Sequence, residues 1–414
     1  MRILGLSLKN IGPFDDAQIE FLRAPEDEPP VTLITGENGT GKSIVLDTIR
    51  AIFGQAFARV ERAITRDTQG FEIKIRHAIR TDDSAAVRTD TVVRKAGGQV
   101  QYDDYSELLT LPHDVLNGSV RPPPWVVDFW RPGLPAGDHA IPALARINHR
   151  ALYQDALQGN LQAARVTEWL CHFDYLRDSH DPDERAVGAA VFEAARRIVA
   201  WSLLDGEFVA VKRATLTPMV RQAGQLVPLQ NLSSGNAYLI QHMIGLLGRM
   251  YSLHMLRGGD PSKLCEASGL LLIDEAENFL HPIWQKRFLP GVRAIFPNLQ
   301  IIATTHSPFI LASVPGARVY VCRYDRARGS CTISEESDGY AARPVDEIVA
   351  SAAFDHTQPF GQEITDLLTR RKAAVAQGDA AECERIEREL VARNPTHFSY
   401  LDIDRELAML RRTG

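Results

Sequence analysis

An apolar, β-branched run "VTLIT" (Val31 to Thr35) leads directly into "GENGTGKS" (Gly36 to Ser43), and the residues after it carry Ile44, Leu46, Ile49 and Ile52 at helical spacing until Gly54. Strand, glycine-rich turn and helix in that order leave few folds open, because the turn must present backbone N–H groups at the carboxyl end of a buried strand. Gly36, Gly39 and Gly41 let the backbone of Glu37, Asn38 and Thr40 close around phosphates. Lys42 reaches the outer phosphates as a point charge, and the Ser43 hydroxyl can ligate Mg²⁺. A chance match in a chain of this length has odds on the order of one in a hundred, and the flanking strand and helix lower them further.

The rest of the chain fits an α/β protein. With 414 residues it exceeds what one core of about 250 to 300 residues serves, so two lobes are expected. Four segments emerge. Residues 1–140 hold the phosphate loop and an antiparallel β meander, in which "FEIKIRH" and "TDTVVRK" alternate with period two. Residues 141–204 turn helical, with "LYQDAL", "VTEWLCHFDYL" and "AVFEAARRIVAWSLL" as the clearest runs, and read as an inserted helical lobe. Residues 205–345 return to alternating strands and helices, which implies a mainly parallel sheet with its ligand at the strands' carboxyl ends. Residues 346–414 read as a mixed-charge helical hairpin split by "QGD".

Composition excludes several classes. The formal net charge of −6 gives no global basic field for nucleic acid, so any such contact must be a local patch. The five cysteines are far apart with no CxxC pair, which fits a reduced, cytoplasmic setting and argues against a zinc site. The start "MRILGLSLKNIGPF" lacks the basic end and apolar run of a signal peptide, and no window approaches the ~20 apolar residues of a membrane span.

Three further stretches carry chemistry. "LLLIDEAE" pushes Asp274 to the end of an apolar strand, where it can hold Mg²⁺ through its water shell, and places Glu275 next to the terminal phosphate as a general base for water. "TTHSP" sets His306 at the end of the following strand, within reach of a terminal phosphate. "LSSGN" puts Ser233, Ser234 and Gly235 at the positive end of an apolar helix bearing Leu239, Ile240, Met243, Ile244 and Leu247, a place that binds anions. Read alone, this last feature is an ordinary serine cap on a core helix.

Phosphate loop, "LSSG", "LLLIDEAE" and "TTHSP" in this order resemble the ATP-binding cassette ATPases. The resemblance implies ATP and Mg²⁺ as cofactors, Lys42, Glu275 and His306 as catalytic groups, and Ser43 and Asp274 as metal ligands. It further implies that Ser233, Ser234 and Gly235 touch the γ-phosphate held by a second copy, so that ATP joins a two-fold dimer. Ser234 stands where the family has glycine and Asn236 where it has glutamine. The spacing from Lys42 to Ser233 is wider than in transporter cassettes. Together with "LSLKNIGPF" and the run from Asp274 to Leu311, it resembles the SMC and OLD-type ATPases, and more narrowly the group containing the Septu and retron-linked defence ATPases.

In that group Glu277 to His281 form a dimer-facing loop, so His281 is not expected to bind metal. Gln99 and Gln101 are weak candidates for the family's Q-loop glutamine. OLD nucleases carry a further nuclease domain; about a hundred residues follow His306 here, and "DIDRE" near the end is only a fragment of such a signature. The resemblance therefore implies a regulatory ATPase whose nucleotide-driven dimer controls a separate effector, a nuclease, in anti-phage defence. The alternative is a DNA-repair ATPase that binds DNA itself, through Arg59, Arg62, Arg66, Lys74, Arg76 and Arg80. A transporter motor is disfavoured by the spacing and by the lack of a membrane segment.

Overall fold

The computed structural model describes residues 1–24, 31–53, 70–80, 85–95, 98, 100–103, 107–154, 156–337, 339–354, 357 and 360–401. The chain divides into two compact units, Met1–Val345 and Asp346–Gly414. The strands of the first unit are β1 (Arg2–Ile11), β2 (Phe14–Glu20), β3 (Val31–Gly36), β4 (Phe71–Arg80), β5 (Ala85–Arg94), β6 (Val100–Asp103) and β7 (Trp125–Trp130). They continue with β8 (Gly206–Lys212), β9 (Thr217–Gln222), β10 (Gln225–Pro228), β11 (Ser268–Ile273), β12 (Leu299–Thr304), β13 (Arg318–Asp325) and β14 (Ser330–Glu335). Its longer helices are α1 (Lys42–Ile52), α2 (Glu107–Asn117), α3 (Ala163–Arg177), α4 (Pro182–Ser202), α5 (Ser234–Arg257) and α6 (Pro282–Ile295).

Eleven of these strands form one sheet in the order β6-β5-β4-β1-β2-β14-β13-β3-β12-β11-β7. From β13 to β7 every pairing is parallel. β3, β7 and β12 are buried at every position, and β11 at all but its first, as strands covered on both faces should be. The other half, β4, β5 and β6 with β1 and β2, is the antiparallel meander expected from the alternation. β2 shows why, with open and buried positions alternating from Asp16 to Glu20.

The α/β architecture expected from the sequence is the one observed, with local differences. "LYQDAL" is not an α-helix: a 3-10 turn covers His149–Tyr153, and the first α-helix of this region begins at Ala163. The hairpin of β9 and β10 was hidden in a polar stretch. Its turn, Ala223 and Gly224, takes φ of 47° and 77°, the doubly left-handed form that two-residue hairpin loops prefer. α2 and β14 also lack a clear periodic signal. Helices α3, α4 and α5 pack together. In that packing the Tyr251 ring meets Trp169 and Phe173 edge-on at 6.0 and 5.6 Å.

α5 is tied to the edge of the sheet by an ion pair between half-buried Arg249 and buried Asp128. Arg249 donates to Asp128 of β7 at 3.1 Å and to the Leu152 carbonyl at 2.7 Å, while the Trp130 indole donates to the second Asp128 oxygen at 3.0 Å. Burial pushes the Asp128 carboxyl up, and the Arg249 charge and these hydrogen bonds oppose it.

The second unit contains helices α7 (Gln362–Gln377) and α8 (Ala380–Arg393), joined at Gly378 in the left-handed region. Leu367, Ile386, Leu390, Phe398 and Leu401 form its small core. Arg371 pairs with Glu387 at 2.7 Å and Arg370 with Glu382 at 2.6 Å across the two helices.

Where α4 crosses α3, Gly188 lets the backbones meet, since a Cβ there would lie 2.3 Å from the Leu176 carbonyl carbon. The obstacle is backbone rather than a flexible side chain. Gly188→Ala is expected to destabilise the first unit by about 1–3 kcal/mol, read as a lower thermal midpoint with the sheet's far-ultraviolet signal retained at 20 °C.

Candidate functional site

Strand register brings the site together. β12 pairs with β3 on one side and with β11 on the other, so the carboxyl ends of all three strands lie side by side. The phosphate loop leaves β3, Asp274 follows β11, and Thr304 to His306 close β12.

In the loop, Gly36, Gly39 and Gly41 have φ of 137°, 81° and 96°, values that L side chains rarely adopt. Gly36 is doubly required, because a Cβ would stand 2.1 Å from the Cys322 carbonyl oxygen of β13. Thr40 donates to the Glu37 carbonyl at 2.8 Å, and the Lys42 ammonium folds back to the carbonyls of Gly36 and Glu37 at 2.9 and 2.6 Å. Asn38 and Glu37 are exposed at the loop's crest. Gly41 caps α1 without a side-chain hydrogen bond, so the helix's first N–H groups face outward with its positive end. Burial lowers the Lys42 pKa; Cys322, Glu277, Asp274 and Glu275 raise it in turn.

Asp274 is the hub. Its Oδ1 accepts from the Ser43 hydroxyl at 2.8 Å and from the Thr304 hydroxyl at 2.6 Å, and its own N–H donates to the Trp130 carbonyl at 2.9 Å. Ser43 and Asp274 thus present adjacent oxygen donors, the ligand type that a hard divalent cation takes. Thr304 also receives the Glu275 N–H at 2.8 Å. Glu275 adopts φ of 52°, and its carboxylate accepts from Asn278 Nδ2 at 2.7 Å. Left-handed backbone at a non-glycine residue is strained and is held here by the Thr304 and Asn278 bonds.

His306 is positioned through its backbone. Its N–H and the Thr305 hydroxyl donate to the two oxygens of Glu277 at 2.8 and 2.6 Å, leaving the ring without a hydrogen bond to any described residue. Burial lowers the imidazole's pKa, the Lys42 charge lowers it further, and Glu277, Glu275 and Asp274 oppose both. The ring is therefore a neutral donor or acceptor at pH 7.

The serine segment sits at the start of α5. Ser233 caps the helix, accepting the Asn236 N–H at 3.5 Å, and both Ser233 and Ser234 are exposed. Gly235 lies against the loop after Asp274: a Cβ there would come within 2.6 Å of the Phe279 carbonyl oxygen. Phe279 itself has φ of 61° and is 48% exposed. One turn further, Tyr238 is buried with its hydroxyl lacking a partner among the described residues, and its ring packs on His242 at 4.5 Å and Phe279 at 6.0 Å. Burial pushes this phenol up, and Asp274, Glu277 and Glu275 add to the effect.

Two other candidates are placed elsewhere. His281 caps α6 by accepting the Ile283 N–H, and among the described residues no group of three His, Cys, Asp or Glu side chains could hold a metal ion. Gln101 lies exposed on β6, at the opposite end of the sheet from β7 and far from β3 in strand order, so it is not brought to the phosphate loop; Gln99 lies outside the described residues. Sequence reasoning missed Thr304, and it placed Glu277 and Asn278 in a dimer-facing loop without their contacts to His306, Thr305 and Glu275. The "TT" of "TTHSP" and the closing "EN" of "DEAEN" were the signals that could have pointed to them.

Comparison with known proteins gives two family matches: "AAA domain" over residues 5–108, and "AAA domain, putative AbiEii toxin, Type IV TA system" over residues 146–312. The chain is 24% identical over 309 residues to Septu protein PtuA of Bacillus thuringiensis, covering 74% of this chain and 72% of that protein. It is 25% identical over 180 residues to the Retron Vc95 probable ATPase of Vibrio cholerae serotype O1 biovar El Tor, covering 43% of this chain but only 33% of that protein. Among solved structures, the SMC head domain from Thermotoga maritima aligns with a TM-score of 0.46 at 16% identity over 81% of this chain and 99% of that one. No helix among the described residues is long and apolar enough to cross a membrane. Two stretches of the chain thus match AAA domain models, and the chain is similar in sequence to a Septu protein and to a retron ATPase.

Proposed function

We propose that this protein is a Mg²⁺-dependent ATPase whose nucleotide-driven homodimer controls a separate effector, a nuclease, in bacterial anti-phage defence. The observation that carries the ATPase part is the meeting of Ser43, Asp274 and Thr304 through two hydrogen bonds to one carboxylate oxygen, at the mouth of a glycine loop. On this reading the backbone N–H groups of Gly36 to Gly41 and the Lys42 ammonium hold the phosphates. Ser43 and Asp274 hold Mg²⁺, which when bound spreads the charge of the phosphate oxygens. Glu275 orients water and takes its proton, with Asn278 fixing the carboxylate. His306, neutral and free at its ring, hydrogen-bonds the terminal phosphate.

The dimer rests on the serine segment. Ser233 and Ser234 are exposed at the positive end of α5, where Gly235 has no room for a side chain; they serve a second copy's γ-phosphate. Residues 141–204 form the inserted lobe and residues 346–414 the tail that binds the effector. The effector and the defence role rest on the resemblance to the Septu and retron-linked defence ATPases, which the similarity to Septu protein PtuA supports, and the cytoplasmic setting rests on the dispersed, unpaired cysteines.

The alternative, an SMC- or RecF-like DNA-repair ATPase that binds DNA directly, finds less support. Of its basic patch, Arg59, Arg62 and Arg66 lie outside the described residues, and the Arg80 side chain likewise. Glu72 takes up Lys74 at 2.9 Å and Lys9 at 3.6 Å. Direct binding would weaken steeply with rising salt.

Glu275→Gln should cut kcat by about a hundredfold or more while ATP binding persists, and should accumulate an ATP-loaded dimer on a sizing column. Normal turnover in that variant would remove Glu275 from the catalytic role. The ATPase rate per chain should also rise with protein concentration and fall when Ser233 is changed to Ala; a concentration-independent rate that ignores Ser233 would exclude the composite site. Co-expression with the product of an adjacent nuclease gene should yield a complex, and its loss on deleting residues 346–414 would locate the contact.

A further inference from the structure

Away from the phosphate loop, a cavity of about 730 Å³ opens between α3, α4, the carboxyl-terminal half of α5 and the turn at His149. Its volume is in the range of small-molecule sites. One wall is apolar, made of Leu176, Val187, Met255 and Leu256 with the Tyr251 ring. Two imidazoles line the interior. His149 uses Nδ1 on the Ser252 hydroxyl at 3.2 Å, and His172 uses Nε2 on the Tyr251 hydroxyl at 3.2 Å. The second nitrogen of each ring has no described protein partner. Burial holds both rings neutral; for His149, His172 and Arg146 reinforce it and the pKa falls to about 4. Each free nitrogen can therefore donate or accept, but not serve as a cation.

Charge in the cavity is divided. Arg146 and Arg150 are exposed at the rim with no carboxylate partner among the described residues, Arg146 acting on His149 and the Arg150 guanidinium resting beside Gly118. Asp183 and Glu184 lie in the first turn of α4, and Glu184 acts on His172 and Tyr251. The Glu184 carboxylate accepts from Ser179 at 2.7 Å. An occupant must then combine an anionic group, a neutral polar edge, hydroxyls or amines for the carboxylates, and a flat apolar body. A lipid tail leaves both charged ends unsatisfied, and no ligand triad for a metal exists among the described residues.

We propose that this cavity binds a nucleoside monophosphate unit, with its base against the apolar wall of Leu176, Val187, Met255 and Leu256, the base edge on His149 and His172, the sugar hydroxyls toward Asp183 and Glu184, and the phosphate on Arg146 and Arg150. A free mononucleotide and the terminal nucleotide of a single strand share this chemistry. Because the lining residues Tyr251, Met255 and Leu256 belong to the helix that begins with Ser233, an occupant touches the same rigid rod as the serine segment, roughly 36 Å long.

The test uses the full chain carrying Lys42→Ala, which silences the phosphate loop, so that its outcome is independent of the ATPase reading. Calorimetry with AMP, GMP, CMP and UMP, and with a short 5′-phosphorylated single strand, should find saturable binding of at least one of them in the micromolar to submillimolar range. Combining Arg146→Ala and Arg150→Ala should weaken that binding at least tenfold while leaving the matching phosphate-free nucleoside nearly unchanged. Val187→Trp, which fills the cavity, should abolish it; the two exposed arginine changes keep the test decisive if that variant does not fold. Binding of the strand tenfold tighter than any mononucleotide supports the proposal with a strand end as the ligand, and equal or weaker binding supports a free nucleotide. No saturable binding by any probe, or binding indifferent to the arginine pair, overturns it.

Discussion

One carboxylate oxygen, Oδ1 of Asp274, accepts hydroxyls from two different elements, Ser43 of α1 and Thr304 of β12. This arrangement demands that β3, β12 and β11 end at the same level, and their parallel register supplies it. A shift of one residue in either pairing would turn every side chain on the strand to the opposite face. The buried Asp274 would then lose both donors, and an unpaired buried carboxylate is costly. The site's remaining parts follow from this hub. Thr304 passes the contact on to the Glu275 backbone, and the neighbouring Thr305 and His306 anchor Glu277.

The loop after β11 connects that hub to α5. Glu275 and Phe279 both hold left-handed backbone, and Gly235 fits under the Phe279 carbonyl only because it lacks a Cβ. Strain in the loop and the tight helix contact therefore belong to one packing arrangement. At its other half, α5 is fixed by Arg249 to Asp128, an ion pair whose desolvation is offset by the indole of Trp130 and the Leu152 carbonyl. The helix is thus fixed at its start against the loop and again at Arg249 against the sheet edge.

Much of this was legible in the chain. The glycine loop's turn was readable because its glycines answer a local requirement, positive φ next to a backbone, and the strand-end positions of Asp274 and His306 because each follows a buried strand. The buried strands and the alternating meander were readable from their periods. The helix assigned at "LYQDAL" failed because apolar residues at helical spacing also suit a 3-10 turn and irregular chain packed on α5. β9 and β10 escaped because short, half-exposed strands carry little alternation, although the Ala223–Gly224 turn marks them in retrospect.

The sequence by itself determined the parts whose cause is local: the glycine loop, the strand-end acids, the serine cap of α5 and the class of ATPase that their order resembles. Tertiary structure alone decided the partners, since Thr304, Glu277 and Asn278 acquire their roles from side chains brought close by strand register and a strained loop. It also decided the cavity beside Tyr251, whose histidines, arginines and acids come from three helices and a turn. Local chemistry is written in neighbouring residues, whereas contacts between distant ones depend on how buried surfaces fit, and no short stretch of sequence records that fit.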